Sequence, residues 1–161
     1  MEHLWSPWRM EYIMRNEPDP GCIFCRALQQ EDNSANLIVT RGKTAFVILN
    51  RYPYTSGHIM VVPNAHQPSL ELLDAETRGE MMELVSHSLQ VMRAVYTPEG
   101  FNVGVNIGAA AGAGVTDHVH IHVVPRWAGD TNFMSTLAGA RVLPEALEDT
   151  YRRLREAWEA V

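Results

Sequence analysis

A chain of 161 residues with 46% hydrophobic content is long enough for one domain with a real core and too short for two. Its formal charge of -6 argues against binding nucleic acid polymers by phosphate neutralisation, while a small anion held in a local pocket is compatible with it. No apolar run approaches the ~18 to 20 residues that span a bilayer, and Glu2, Arg9 and Glu11 break up any secretory signal, so a cytoplasmic protein with no membrane partner is expected.

Residues 1–21 read as an aromatic arm with Trp5, Trp8, Tyr12 and Ile13, ending in the turn-rich Pro18-Asp19-Pro20-Gly21. Its apolar side chains need a surface, either the chain's own core or a second subunit. Cys22-Ile23-Phe24-Cys25 follows at once. Apolar runs at Leu37–Val39, Ala45–Leu49 and His58–Val62 predict three strands, and the breaks at Arg41-Gly42 and Pro53–Gly57 make antiparallel hairpins the natural connections. Between Asp74 and Tyr96, Met81, Val85, Leu89, Met92 and Tyr96 recur at helical intervals, with Asp74 or Ser69 as the cap and Met81 and Met82 as core filler. A fourth strand is expected over Phe101–Ile107, then a glycine-rich loop from Gly108 to Gly114. Next comes His118-Val119-His120-Ile121-His122-Val123-Val124-Pro125-Arg126-Trp127, a strand that completes the sheet. Leu143, Leu147, Tyr151, Leu154 and Trp158 mark a C-terminal helix with Pro144 in its first turn. Strands in the middle and one long helix between them predict an α+β fold with an antiparallel sheet of about five strands.

Three of the seven histidines stand at alternate positions of one strand. His118, His120 and His122 therefore share a face, with Val119, Ile121 and Val123 directed into the core. A histidine that attacks phosphorus must be unprotonated at the attacking nitrogen, held in one tautomer, and surrounded by donors for the developing charge. His120 is the best flanked for that role, with His118, His122 and His58 available to orient it and to bind phosphate oxygens. The loop at Gly108 to Gly114 offers amides that can approach phosphate closely. Gly42-Lys43-Thr44 resembles the end of a phosphate-binding P-loop but lacks the earlier glycine, since Leu37 stands there. Cys22 and Cys25 are half of a tetrahedral zinc site; a redox pair and a metal held by all three histidines of the row are the rivals.

His-φ-His-φ-His-φ-φ, where φ is apolar, resembles the signature of the histidine triad (HIT) superfamily of nucleotide hydrolases and transferases. Ser56-Gly57-His58-Ile59-Met60-Val61-Val62-Pro63 is similar to the rest of that domain, and the likeness covers about residues 22–127. Leu4-Trp5-Ser6-Pro7-Trp8-Arg9-Met10 and the stretch from Pro125 to Phe133 resemble the bacterial branch that includes diadenosine tetraphosphate phosphorylases. The resemblance implies a single HIT domain over residues 1–161, with 1–21 as an arm, 22–127 as the triad core and 128–161 as a C-terminal extension. It implies a nucleotide substrate, a dinucleoside polyphosphate cleaved through a nucleotidyl-histidine intermediate, with inorganic phosphate as the acceptor in a phosphorylase. Hydrolysis of such substrates or of nucleoside phosphoramidates is the alternative, and a nucleotide-binding sensor is the non-enzymatic one.

By the same resemblance His120 is the nucleophile, His58 and His122 contact phosphates, and Asn50 holds the ribose. Asn106 lies near the bridging oxygen and Trp127 at the nucleotide. Relatives often carry Gln-Ser or Gln-Thr before the triad; here Ala113-Gly114-Val115-Thr116 stands there, which leaves Thr116 as the hydroxyl in that stretch. A second phosphate would be held by amides at Gly112 to Gly114 beside Arg126 and Thr131. Structural Zn2+ on Cys22, Cys25, His66 and His118, and a homodimer, are also implied.

Overall fold

The computed structural model describes residues 21–130 and 145–161. Residues 1–20 of the aromatic arm, Thr131, Leu143 and Pro144 lie outside the described residues. In chain order the elements are α1 (Ile23–Leu28), β1 (Ile38–Arg41), β2 (Ala45–Leu49), β3 (Ile59–Pro63), α2 (Ala75–Tyr96), β4 (Gly100–Val105), β5 (Ile121–Arg126) and α3 (Leu147–Ala160). The sheet runs β1-β2-β3-β5-β4 and every neighbouring pair is antiparallel. This is the α+β, five-stranded antiparallel arrangement expected.

Every residue of β2 and β3 is buried. That explains why both strands read as unbroken apolar runs: a strand covered on both faces needs no alternation. The long helix α2 packs on β2, β3 and β5, and α3 packs on α2 and β1. Of the two proposed caps Asp74 is the one used, its carboxylate accepting the Thr77 N–H at 2.7 Å. Met81 and Met92 are fully buried, whereas Met82 is 54% exposed and fills no core. Ser88 joins the buried stripe instead, its hydroxyl satisfied by Leu84 O at 2.6 Å. His87 serves packing, edge-on to Trp158 of α3 at 4.7 Å between centroids.

The β1–β2 turn shows why Gly42-Lys43-Thr44 is not a phosphate loop. Glu80 of α2 places its carboxylate on the Lys43 and Thr44 amides, at 2.6 and 2.5 Å, and on the Thr44 hydroxyl. A carboxylate already fills the anion position. Gly42 has to be glycine there because a Cβ would overlap Glu80 Oε1 and stand 3.0 Å from Ala45 O.

The histidine strand differs from expectation at its start. β5 begins at Ile121, paired with Val61, and inserts between β3 and β4. β3 ends at Pro63, which has no N–H to continue a ladder. The Val119 N–H turns instead to Gln67 O at 2.7 Å. The alternation of side chains persists through this stretch, with Val119, Ile121 and Val123 in the core.

Candidate active site and metal centre

Just ahead of β5, His118 is fully buried and faces the cysteine pair. Its Nε2–H donates to Pro63 O at 2.8 Å, which leaves Nδ1 unprotonated 3.2 Å from Cys22 Sγ and 3.7 Å from Cys25 Sγ. His66 Nδ1 lies 3.3 Å from Cys25 Sγ, and its Nε2 is 3.7 Å from Asp117 Oδ2. The donor atoms of Cys22, Cys25, His66 and His118 all fall within 4.8 Å of one another. Bond lengths of about 2.3 Å to sulfur and about 2.05 Å to nitrogen give a tetrahedral S–N edge of about 3.6 Å, so these four residues fit a metal ion closely. A carboxylate behind a ligating histidine is the usual second layer of such a site. Burial, followed by the neighbouring Cys22, pushes the Cys25 thiol up, the cost that a bound cation would offset. The cluster thus takes His118 alone from the histidine row.

His122 turns toward His58, and the His120 ring lies beside that of His122. His120 Nδ1–H donates to His118 O at 2.9 Å, so the lone pair of neutral His120 is on Nε2. The loop before β3 fixes the rest: the Tyr54 N–H donates to His58 Nδ1 at 3.1 Å, so the proton of the His58 ring is on Nε2. That Nε2–H faces His122 Nδ1 at 3.0 Å and donates to it, which leaves the His122 proton on its own Nε2. The rings of His120 and His122 are 4.8 Å apart. Neighbouring imidazoles thus carry an unprotonated nitrogen on one ring and an N–H donor on the other, the two kinds of group that attack on a phosphoanhydride needs.

Burial holds the pKa values of His118 and His120 below the ordinary histidine value. Burial first, then the nearby His120, brings His122 down to about 4. His120 and His122 are accordingly neutral at neutral pH, as the tautomer assignment requires.

The loop that carries this order is tightly held. Thr55 Oγ1 donates to Pro125 O at 3.0 Å. Gly57, at φ +82°, lets the chain turn into His58 where a Cβ would press on Pro125 and Tyr96, both 3.3 Å away. Asn50 accepts the Tyr52 N–H at 2.9 Å and sets its amide nitrogen 3.4 Å from both His58 ring nitrogens, so it stands beside the triad.

Other expected contacts lie further out. Asn106 is half-buried just past β4, and Gly114 and Thr116 are exposed before the row. Within Gly108 to Gly114, the amides of Ala111, Gly112 and Ala113 are spent on Gly108 O and Ala109 O. Trp127 packs edge-on to Tyr96 at the far end of β5, roughly 23 Å along the chain from His120 at a strand's spacing. Arg126 is bound at both Nε and Nη2 by Asp130, at 2.5 and 2.8 Å.

Two aromatic residues of the site escaped the sequence reading. Tyr54 packs on His58 at 4.6 Å and lies near-parallel to His122 at 6.2 Å. Phe24 packs against both His118 and His120. The only signal for either is position: one lies in the loop leading to His58, the other between the two cysteines.

Residues 31–129 match the family model described as the HIT domain. The chain is 39% identical to a protein of Mycobacterium tuberculosis named AP-4-A phosphorylase, over 98% of this chain and 85% of that one. It is 33% identical to the adenosine 5'-monophosphoramidase hnt1 of Schizosaccharomyces pombe, over 66% of this chain and 74% of that one. Among solved structures, a zinc-bound histidine triad family protein from Mycobacterium smegmatis superposes with a TM-score of 0.69 at 27% identity, covering 87% of this chain and 94% of that one. With the domain match spanning the whole sheet and the triad lying inside it, the chain belongs to the HIT family.

Proposed function

We propose that this HIT enzyme cleaves dinucleoside polyphosphates of the diadenosine tetraphosphate type through an adduct on His120 and passes the adenylyl group to inorganic phosphate. The observation that carries the reading is a His120 ring unprotonated at Nε2 packed 4.8 Å from a His122 ring that is protonated at Nε2. His120 Nε2 attacks the α-phosphorus; the bond to the bridging oxygen breaks and ATP leaves; the His122 N–H binds a phosphate oxygen as charge builds on it. Phosphate oxygen then attacks the same phosphorus, the P–N bond breaks, ADP leaves and His120 is regenerated. The likeness to the M. tuberculosis phosphorylase over nearly the whole chain supports phosphate as the acceptor. Asn50, Asn106, Gly112, Gly114, Thr116 and Trp127 are the proposed substrate contacts.

One observation favours a second reading, hydrolysis: Arg126, the cation best placed in sequence to hold a second phosphate, is already neutralised by Asp130. A single assay decides. Incubated with diadenosine tetraphosphate, the enzyme gives ATP and ADP when phosphate is added. ATP and AMP at a rate indifferent to phosphate make it a hydrolase. His120→Asn should lower either activity by at least about a hundredfold with the fold retained; a smaller loss excludes the adduct.

The metal in the cluster is proposed to be zinc, since two thiolates and two imidazoles in a closed tetrahedron are its preferred set. A homodimer is proposed from the edge strand: Val103 of β4 and Ile107 just beyond it are exposed on a strand whose outer side pairs with no other described strand. A partner would also be needed to bring Trp127 near a nucleotide. No helix among the described residues is long and apolar enough to cross a membrane, and a cytoplasmic location is proposed together with two free thiols.

A further inference from the structure

The metal cluster and the nucleophile are joined by two separate links. The first is the main chain: His118 offers its ring to the cysteines and its carbonyl to the His120 Nδ1–H at 2.9 Å. The second is Phe24. Lying between Cys22 and Cys25, it is only 1% exposed. Its ring meets His118 edge-on at 5.4 Å and leans on His120 at 5.0 Å and 54°. Aromatic contacts of this kind have preferred angles, so the ring constrains the imidazole's rotation as well as filling space.

The helix that carries Phe24 cannot place itself. α1 has six residues, and a helix this short has no stability without tertiary anchors. At its C-terminal end Arg41 supplies one, donating to Leu28 O and Gln30 O, each at 3.0 Å. At its N-terminal end the anchor is the cysteine pair. A shift of the cluster therefore moves the Phe24 ring against His120.

We propose that Phe24 is a positioning residue for His120, and that occupancy of the metal cluster sets the orientation of the nucleophile through it. The ring holds the His120 imidazole so that Nδ1–H stays on the His118 carbonyl and Nε2 stays aimed outward. Without the ring, the imidazole gains rotamers in which Nε2 points away from the substrate. The proposal rests on His120 being the nucleophile for its kinetic consequence, and on nothing but the imidazole's geometry for its spectroscopic one.

The test compares Phe24→Met, which keeps most of the volume, and Phe24→Leu with the metal-loaded wild type. Turnover of diadenosine tetraphosphate gives kcat and KM, and nitrogen–proton correlation spectra of the histidine rings report the tautomer of His120. The expected result is a kcat lower by about ten- to a hundredfold with KM within about threefold, the signature of a displaced reacting group. The His120 signals should lose their single Nδ1–H pattern. In wild-type protein, stripping the metal with a chelator should shift the same signals, and adding zinc should restore them. A kcat within about twofold of wild type in Phe24→Met, or a fall that follows thermal stability while His120 keeps one tautomer, overturns the proposal. If neither variant folds, the chelation arm alone decides: His120 signals indifferent to metal removal refute the coupling. If the wild type turns over no dinucleotide, the proposed function fails, while the ring signals still decide this inference.

Discussion

His122 shows what the burial of one ring does to the behaviour of the chain with pH. Folded, it takes up its proton only near pH 4; unfolded, at about 6.5. Between those values the unfolded chain holds more protons, so stability rises with pH, and the contribution is lost as pH falls from about 6.5 to about 4. Denaturant melts at pH 7 and pH 4.5 should show a larger loss for the wild type than for His122→Gln; equal losses would mean that His122 is not neutral in the fold. The alternation of imidazoles makes this row legible in sequence, because a period of two with β-branched residues between has few other causes. Its division is not legible. That His118 faces the cysteine pair while His122 meets His58 depends on Pro63 O and the Tyr54 amide, two backbone groups with no distinctive side chain to announce them.

At the scale of elements, the β1–β2 hairpin and α2 are locked by one carboxylate, and this can be measured as a coupling. Glu80→Ala removes the acceptor of two amides and a hydroxyl and should cost about 1–3 kcal/mol. Gly42→Ala should destabilise the wild type through overlap with Glu80 and cost distinctly less in the Glu80→Ala background, with some penalty left from Ala45 O. Strictly additive losses in the double-mutant cycle would show that the two do not share the space. Strands and helices were recoverable from apolar runs and helical periodicity, down to the Asp74 cap. What escaped was where the ladder of β5 begins, and that Met82 faces water while Ser88 faces the core. Both failures have one origin. Neighbouring elements decide these features, through Gln67 O in the first case and through the packing of α2 on β2, β3 and β5 in the second.

For the molecule as a whole, the cluster of Cys22, Cys25, His66 and His118 brings the start of the described chain against its far side: Cys22 and His118 are 96 positions apart. Metal held there by the folded form alone would add to stability by mass action. Elemental analysis should find one metal ion per chain, absent from a Cys22→Ser, Cys25→Ser double variant. That variant should melt well below the wild type, and chelator should lower the wild type to the same level; purified metal-free protein with unchanged melting would remove the site. The order of strands carries a consequence of another kind, for synthesis. β3 is complete when Pro63 leaves the ribosome, but its outer neighbour β5 is the last strand made and enters between β3 and β4. At about 5–20 residues per second, several seconds pass in which a fully apolar strand has one open edge. During that interval the nascent chain has most to gain from α2, emerging next, laid over that strand, and from a chaperone at the edge that α2 does not cover.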